Sequence, residues 1–349
     1  MSDHPREAQR RLSKIFVCDD IWLSTFPSLG PAVLGLKLAL LSDRFDTLVD
    51  LHFKKRKWTL GELKIQRFPE GNGAAQIAVM RRKVIKQLLP IPQQPLPDNI
   101  IGFKHIWICT IDHTAIAFLH LIRRLFSADT MLRVCTNRAN NNDVWGEITR
   151  NIWPLMVNSV GKLKFKSRNR LNTLRIRIAP NVLRNLANLR TIVFDSFYFY
   201  RFNPLWPDDR AEAPADRALS KWLHTPREDG RPKVLKFNDH SETYFPNAAI
   251  NHLKEEFRNA STSASYIVVL CCVCAEFDEF EPFELINRQT RERFALELAQ
   301  HDMLLLRRSP IERDEAKWAE GESEATKKPL PHHDPLPNSV TVDVQSGEE

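Results

Sequence analysis

Three clusters of residues have types and spacings that could do chemistry. The first is Cys271-Cys272-Val273-Cys274, three thiols within four residues. Zinc needs four ligands spaced so that they converge on one ion; the other cysteines are scattered, and His332-His333 lies in the polar tail and reads as solvated. Within YIVVLCCVC these thiols read as small buried hydrophobes. The second is EFDEFEPFE at 276–284, where carboxylates alternate with aromatics. Calcium needs convergent oxygens around a tight Gly-centred loop, which this run lacks; it reads as an edge segment with its carboxylates turned outward. The third is Asp112-His113 with Cys109 close by. Chain neighbours rarely face one another, so a base-activated nucleophile does not follow. No G-x-S-x-G, phosphate-binding loop, G-x-G-x-x-G or H-E-x-x-H pattern occurs. The expectation is a protein that is not an enzyme, with no catalytic residue, metal or cofactor.

Without a reaction to place, the charge points to partners. The 349 residues carry a net charge of +7. From Glu312 onward ten Asp and Glu face four Lys and Arg, so the preceding 311 residues carry +13. A basic body suits nucleic acid or an acidic protein surface. Lys54–Lys57 is a possible nuclear-localisation run or a solvated helix end, and the basic stretch at 162–177 is a phosphate track or the outer face of strands. No apolar run approaches the roughly 20 residues that span a bilayer, so no membrane partner is expected. The first residues are charged with no apolar core behind them, unlike a secretory signal. Six scattered cysteines form no disulfide framework. Together these predict a reduced compartment, cytoplasmic or nuclear.

The elements that would position any binding surface follow from periodicity. Residues 15–53, IFVCDDIWLSTFPSLGPAVLGLKLALLSDRFDTLVDLHF, form an apolar block with three-to-four-residue spacing. Asp19 and Asp20 suit a helix start, Pro27 ends that helix, and Gly30-Pro31 turns the chain. This predicts two or three short packed helices. Residues 54–101, basic and then Pro-rich, read as connection. From 102 to 275 short β-prone runs alternate with helical ones: strands at 103–109, 131–135, 160–165, 189–194, 233–237 and 266–274, with helices at 114–126, 143–153, 180–187, 215–224 and 247–259. The fold class is therefore α+β or α/β. Strand–helix units favour parallel pairing, here as an irregular leucine-rich-repeat-like region without the strict repeat, with a compact α/β layer fold as the rival. Residues 276–314 predict antiparallel strands around the turn NRQTRE. The acidic, Pro-bearing stretch 315–349 predicts a disordered tail.

The block at 15–53 resembles the F-box family. The resemblance runs through Val17-Cys18, Asp19-Asp20, Ile21-Trp22, Thr25-Phe26 and Leu29, then Leu41-Ser42-Asp43-Arg44-Phe45 and Leu48-Val49. Cys18 stands where the family has Pro, Thr25 where it has Ile, and one residue is inserted near Gly35. Beyond it, LKLALLSDRFDTLVDLHF, KWLHTPREDGRPKVL and LLLRRSPIERDEAKW resemble divergent nematode-type F-box proteins with a variable recognition region. The resemblance implies a substrate-recognition adaptor of a Skp–cullin–F-box ubiquitin ligase. On that reading Ile21, Trp22, Phe26, Leu29, Leu41 and Phe45 bind the Skp adaptor, the cullin scaffold follows, and the C-terminal region holds an unknown target protein. Nucleic-acid binding by the basic body is the alternative.

Overall fold

Parallel strands cannot be joined by a tight turn; each needs a crossover long enough to carry the chain back, usually a helix. The computed structural model, which describes residues 17–53, 57–68, 73–135, 142–196, 207–238, 247–271, 281–299, 303–327 and 338–344, is built almost entirely on that rule. The crossover strands are β2 (Glu62–Arg67), β6 (His105–Ile108), β7 (Thr130–Val134), β8 (Val160–Ser167), β9 (Thr191–Ser196), β10 (Lys233–Phe237) and β11 (Tyr266–Cys271). They lie side by side in chain order, all parallel, with one later strand inserted between β6 and β7. An antiparallel meander extends each end: β3 (Ala75–Arg81) and β4 (Val84–Pro90) beside β2, and β14 (Met303–Pro310), β13 (Glu292–Ala299) and β12 (Phe283–Asn287) beside β11. Among the described residues the sheet has 13 strands. The protein is a mixed α/β fold on a large, mostly parallel sheet.

The connecting helices share one side. Leu63, Ile106, Leu132, Leu163, Ile192, Leu235, Val268 and Leu306 pack into a single core. That core also takes Phe118 of α4 (His113–Leu121), Leu171 and Leu174 of α7 (Arg168–Arg177), Trp222 of α9 (Ala215–His224) and Phe257 of α10 (Asn247–Asn259). Because strand side chains alternate between faces, the intervening residues point the other way. Over Val234, Ile267, Val269, Met303 and Leu305 that second face is closed by α11 (Glu315–Thr326), through Trp318 and Ala325. A Cβ at Gly321 would come within 2.6 Å of Pro232, so glycine lets α11 lie close on the sheet.

Three sequence expectations are corrected. Residues 54–101 are not mere connection: β2, β3 and β4 lie there, and β1 (Trp58–Thr59) pairs with β5 (Ile100–Gly102). Their apolar pattern is faint because β4 is an edge strand that leaves Val84, Ile85 and Leu88 outward. The stretch 315–349 is not a disordered tail. It carries α11, whose start is capped by Asp314 accepting from Ala316 N and Lys317 N, and β15 (Ser339–Val342), the strand inserted between β6 and β7. Its polar composition hid one apolar stripe and four residues of strand. Pro154 does not end the helix at 143–153 either. The chain passes through a π-turn at Ile148–Ile152, and Pro154 sits in the first turn of the next helix, where no amide is needed. Within 162–177 only the first part is strand; α7 follows. Residues 54–56, 272–280 and 332–333, which include the basic run, two of the thiols and part of the acidic run, lie outside the described residues.

β15 has a structural role disproportionate to its length. Val340 and Val342 are wholly buried, both neighbours accept it in parallel register, and Ser339 Oγ hydrogen-bonds His105 Nδ1. Deleting residues 338–349 is expected to lower the unfolding free energy by at least about 3 kcal/mol, since two buried valines contribute roughly 1.5–3 kcal/mol each. Chemical denaturation of the truncated chain measures this, and unchanged stability would contradict the inserted strand.

Gly161 is the extra residue where the β7–β8 register shifts, with Thr130 opposite Val160 and Met131 opposite Lys162. A Cβ there would sit 2.2 Å from the carbonyl oxygen of Ala128, which is backbone and cannot swing away. Gly161→Ala should therefore destabilise the fold by roughly 1–3 kcal/mol, read from the midpoint of urea unfolding.

His105 gives a pH dependence. Burial, then Arg133 and Lys104, lowers its pKa from 6.5 to about 3. Between those values the unfolded chain binds a proton that the folded chain refuses, so stability falls as pH drops through this window. His105→Asn should flatten the slope between pH 6.5 and 5, followed by urea titrations at each pH.

Candidate functional site

The cluster most suggestive of a nucleophile contains no catalytic arrangement. Asp112 is the N-cap of α4, accepting from Ala115 N at 2.9 Å and from Ala75 N at 3.0 Å. Burial works to raise its pKa, but the hydrogen bonds from Ala115, Thr114 and Ala75, with Arg67 nearby, leave it lowered. That is a carboxylate fixed in a structural role. His113 projects outward from the first helical position. Cys109 is pushed up to about 11, chiefly by burial, so its thiolate is scarce near neutral pH. Among the described residues no group of three or more His, Cys, Asp or Glu could hold a metal ion. No helix among them is long and apolar enough to cross a membrane.

The N-terminal helices concentrate unsatisfied apolar surface. α1 (Asp19–Thr25) leads through a short 3-10 turn at Phe26–Ser28 to α2 (Pro31–Val33). A π-turn at Leu34–Leu38 and a 3-10 turn at Ala39–Leu41 carry the chain to α3 (Asp43–Phe53). Their interior is Phe26, Leu34, Leu36, Ala39, Leu48, Val49 and Phe53, continuous with the main core. Arg44 closes the ends of the unit: its guanidinium donates to Asp19 Oδ1 and, at 2.7 Å, to the carbonyl of Val17. This bond ties the acidic start of α1 to α3, and both residues belong to the sequence pattern.

The six residues expected to dock an adaptor separate into two groups. Phe26 is corrected: it is fully buried, its ring edge-on to His52 at 5.6 Å, and cannot be presented to a partner. Its helical spacing marked it as apolar but could not say which way the helix faces. The other five remain accessible. Ile21 is 56% and Leu41 61% exposed. Trp22, Leu29 and Phe45 pack partly against the core, with Trp22 meeting Phe45 edge-to-face at 5.0 Å. α1 buries none of its residues completely. A helix of seven residues with no buried side chain gains little from its own chain. Large apolar groups held half-exposed in fixed geometry are what an interface anchor requires.

A second cluster lies on the sheet's outer face beside the part that α11 closes, and several of its residues, Thr341 and Asp195 among them, are buried. Register places Lys64, Trp107, Thr341, Arg133 and Lys164 in one row across β2, β6, β15, β7 and β8. One step toward the strands' carboxyl ends, Cys109, Asp343, Cys135, Lys166 and Asp195 continue it. Sequence reading took Lys164 and Lys166 as part of a phosphate track or the outer face of strands, and Lys64 as part of a connection; it had no means to align them with Arg133 or Trp107, because register between crossover strands is a tertiary property.

No family model, no curated protein and no solved structure matches this chain.

Proposed function

We propose that the protein is a substrate-recruiting adaptor of a Skp–cullin–F-box ubiquitin ligase, acting in the cytoplasm or nucleus. The observation that carries this is the outward exposure of Ile21 and Leu41, with Trp22, Leu29 and Phe45 half-buried, on the short helices whose residues resemble an F-box. An F-box completes its apolar surface against the Skp adaptor, and α1 has apolar surface left to complete. The remainder suits a recognition region. Parallel strands in chain order with crossover helices on one side suit an irregular leucine-rich-repeat-like reading of this region. The protein would do no covalent chemistry itself; holding the target near the transferred ubiquitin supplies effective concentration. Nucleic-acid binding is the second reading, favoured by one observation: the alignment of Arg133 and Lys164 in one row on the sheet's outer face.

Binding to a purified Skp adaptor tests the proposal. Truncating an interface anchor costs at least ~2 kcal/mol, about thirty-fold in Kd. Ile21→Ala with Trp22→Ala should weaken binding by that factor or more while circular dichroism stays unchanged, because neither side chain is fully buried. Lys86→Ala, on exposed β4, should leave it unaltered. A well-folded wild type that does not bind the adaptor at micromolar concentration would overturn the assignment.

A further inference from the structure

β4 is the last strand at one end of the sheet and pairs on one side only, with β3. In an antiparallel strand alternate residues direct their amide and carbonyl away from the neighbour. None of those groups between Val84 and Leu89 bonds any other element among the described residues. The edge is also apolar. Register sets Ile85 opposite Met80 and Leu88 opposite Ala78, with Lys86 the extra residue of a bulge. Ile77 and Leu89 join the main core, so Ile85 and Leu88 share the other face, where they are 41% and 42% exposed.

Lysine on an edge strand deters uncontrolled pairing, and Lys86 has that effect. The turn before it adds something the fold does not need. Arg82 and Lys83 occupy that turn with φ of 51° and 65°, a region where a two-residue hairpin takes Asn-Gly at least cost. Both side chains are exposed, so no packing offsets the strain. Strain retained at an exposed hairpin tip points to a role outside the fold. Arg81, Arg82, Lys83 and Lys86 are all exposed, and none pairs with a carboxylate among the described residues. Glu62, opposite Met80 on β2, is taken by Lys104.

We propose that the edge of β4 takes up an acidic, extended polypeptide segment of a partner protein as an added strand. Unpaired amides and carbonyls in strand geometry are matched by another main chain, which a nucleic acid lacks. Apolar side chains at alternate positions of the segment lie against Ile85 and Leu88, and its carboxylates meet Lys86 and the cations of the turn. A second copy's β4 is a poor occupant, because antiparallel pairing of two such edges sets cation against cation. The edge serves this role whether or not the N-terminal helices bind a Skp adaptor.

Fluorescence anisotropy with the full chain tests this. The probes are labelled nonapeptides of alternating glutamate and valine or of alternating lysine and valine, and a ten-nucleotide oligothymidylate. The acidic peptide should bind, the basic one should not, and the oligothymidylate should bind more weakly than the acidic peptide. Saturating acidic peptide should slow amide hydrogen exchange in β4 at least tenfold, the signature of main-chain pairing. Arg82→Asn with Lys83→Gly gives the turn its least strained sequence, so the urea midpoint should rise while affinity for the acidic peptide falls at least fivefold. Ile85→Thr with Leu88→Thr keeps strand propensity and should weaken the peptide by a similar factor. Arg258→Asn with Arg288→Asn removes equal charge from exposed positions at the other end of the sheet and should change affinity less than twofold. No binding of the acidic peptide, binding without slower exchange in β4, tighter binding of the oligothymidylate, or equal losses from the two charge variants would each overturn the proposal. Self-association that slows exchange in β4 would overturn it too, assigning the edge to a second copy.

Discussion

The structure depends on one ladder of main-chain hydrogen bonds, and its critical rung is β15. Seven crossover strands follow one another across the sheet in chain order, but β6 and β7 do not pair with each other; the chain's last described strand fills the gap and bonds both. Take it away and two central strands each carry a row of unpaired donors and acceptors in the interior, which proteins avoid at a cost of about 1–3 kcal/mol per buried group. The fold is thus closed only when the C-terminus has arrived. Residues far apart in sequence, His105 and Ser339, are hydrogen-bonded across that junction.

Part of the basic composition answers the same need. Pro-rich and irregular connections cannot satisfy their carbonyls in a ladder, and here cationic side chains satisfy them. Arg124 donates to the carbonyls of Leu96, Pro97 and Ile100, fixing the connection before β5. Arg175 donates to those of Pro180, Ala213 and Arg210. Lys236 caps the end of α11 through the carbonyls of Ala325, at 3.1 Å, and Lys327, at 2.5 Å. Lys233 donates to the carbonyl of Trp222 and lies over its ring; burial, then Arg227, lowers its pKa to about 7. Arg308 and Glu292 form a buried pair at 2.8 Å, with Arg308 also donating to the Thr262 carbonyl and Glu292 accepting from Ala264 N. A positive balance arising in this way says little about nucleic acid.

The two faces of the sheet thereby acquire different work. One is filled by the crossover helices and is generic apolar packing. The other is divided: α11 seals the strands toward the C-terminal meander, while toward the N-terminus the face carries polar and charged side chains, of which His105, Ser339 and Thr341 are buried. The N-terminal helices share the main core through Phe26 yet keep Ile21 and Leu41 outward.

The sequence by itself determined the local elements wherever burial imposed a period. Strand β10 and helices α9 and α10 are legible to the residue, because a strand buried on both faces or a helix with a wide apolar stripe writes its packing into its composition; the edge strand β12 is legible from the turn that follows it. The short packed helices expected within residues 15–53 were legible too. Only the tertiary structure decided the rest. The strands within 54–101 and β15 within 315–349 are too short or too edge-like for periodicity to register, and β15 owes its burial to neighbours more than 200 residues away. That Phe26 turns inward while Ile21 turns outward depends on which side of α1 meets the core. The row from Lys64 to Lys164 exists only as register between strands, and register is set by how crossovers pack, which no local pattern encodes.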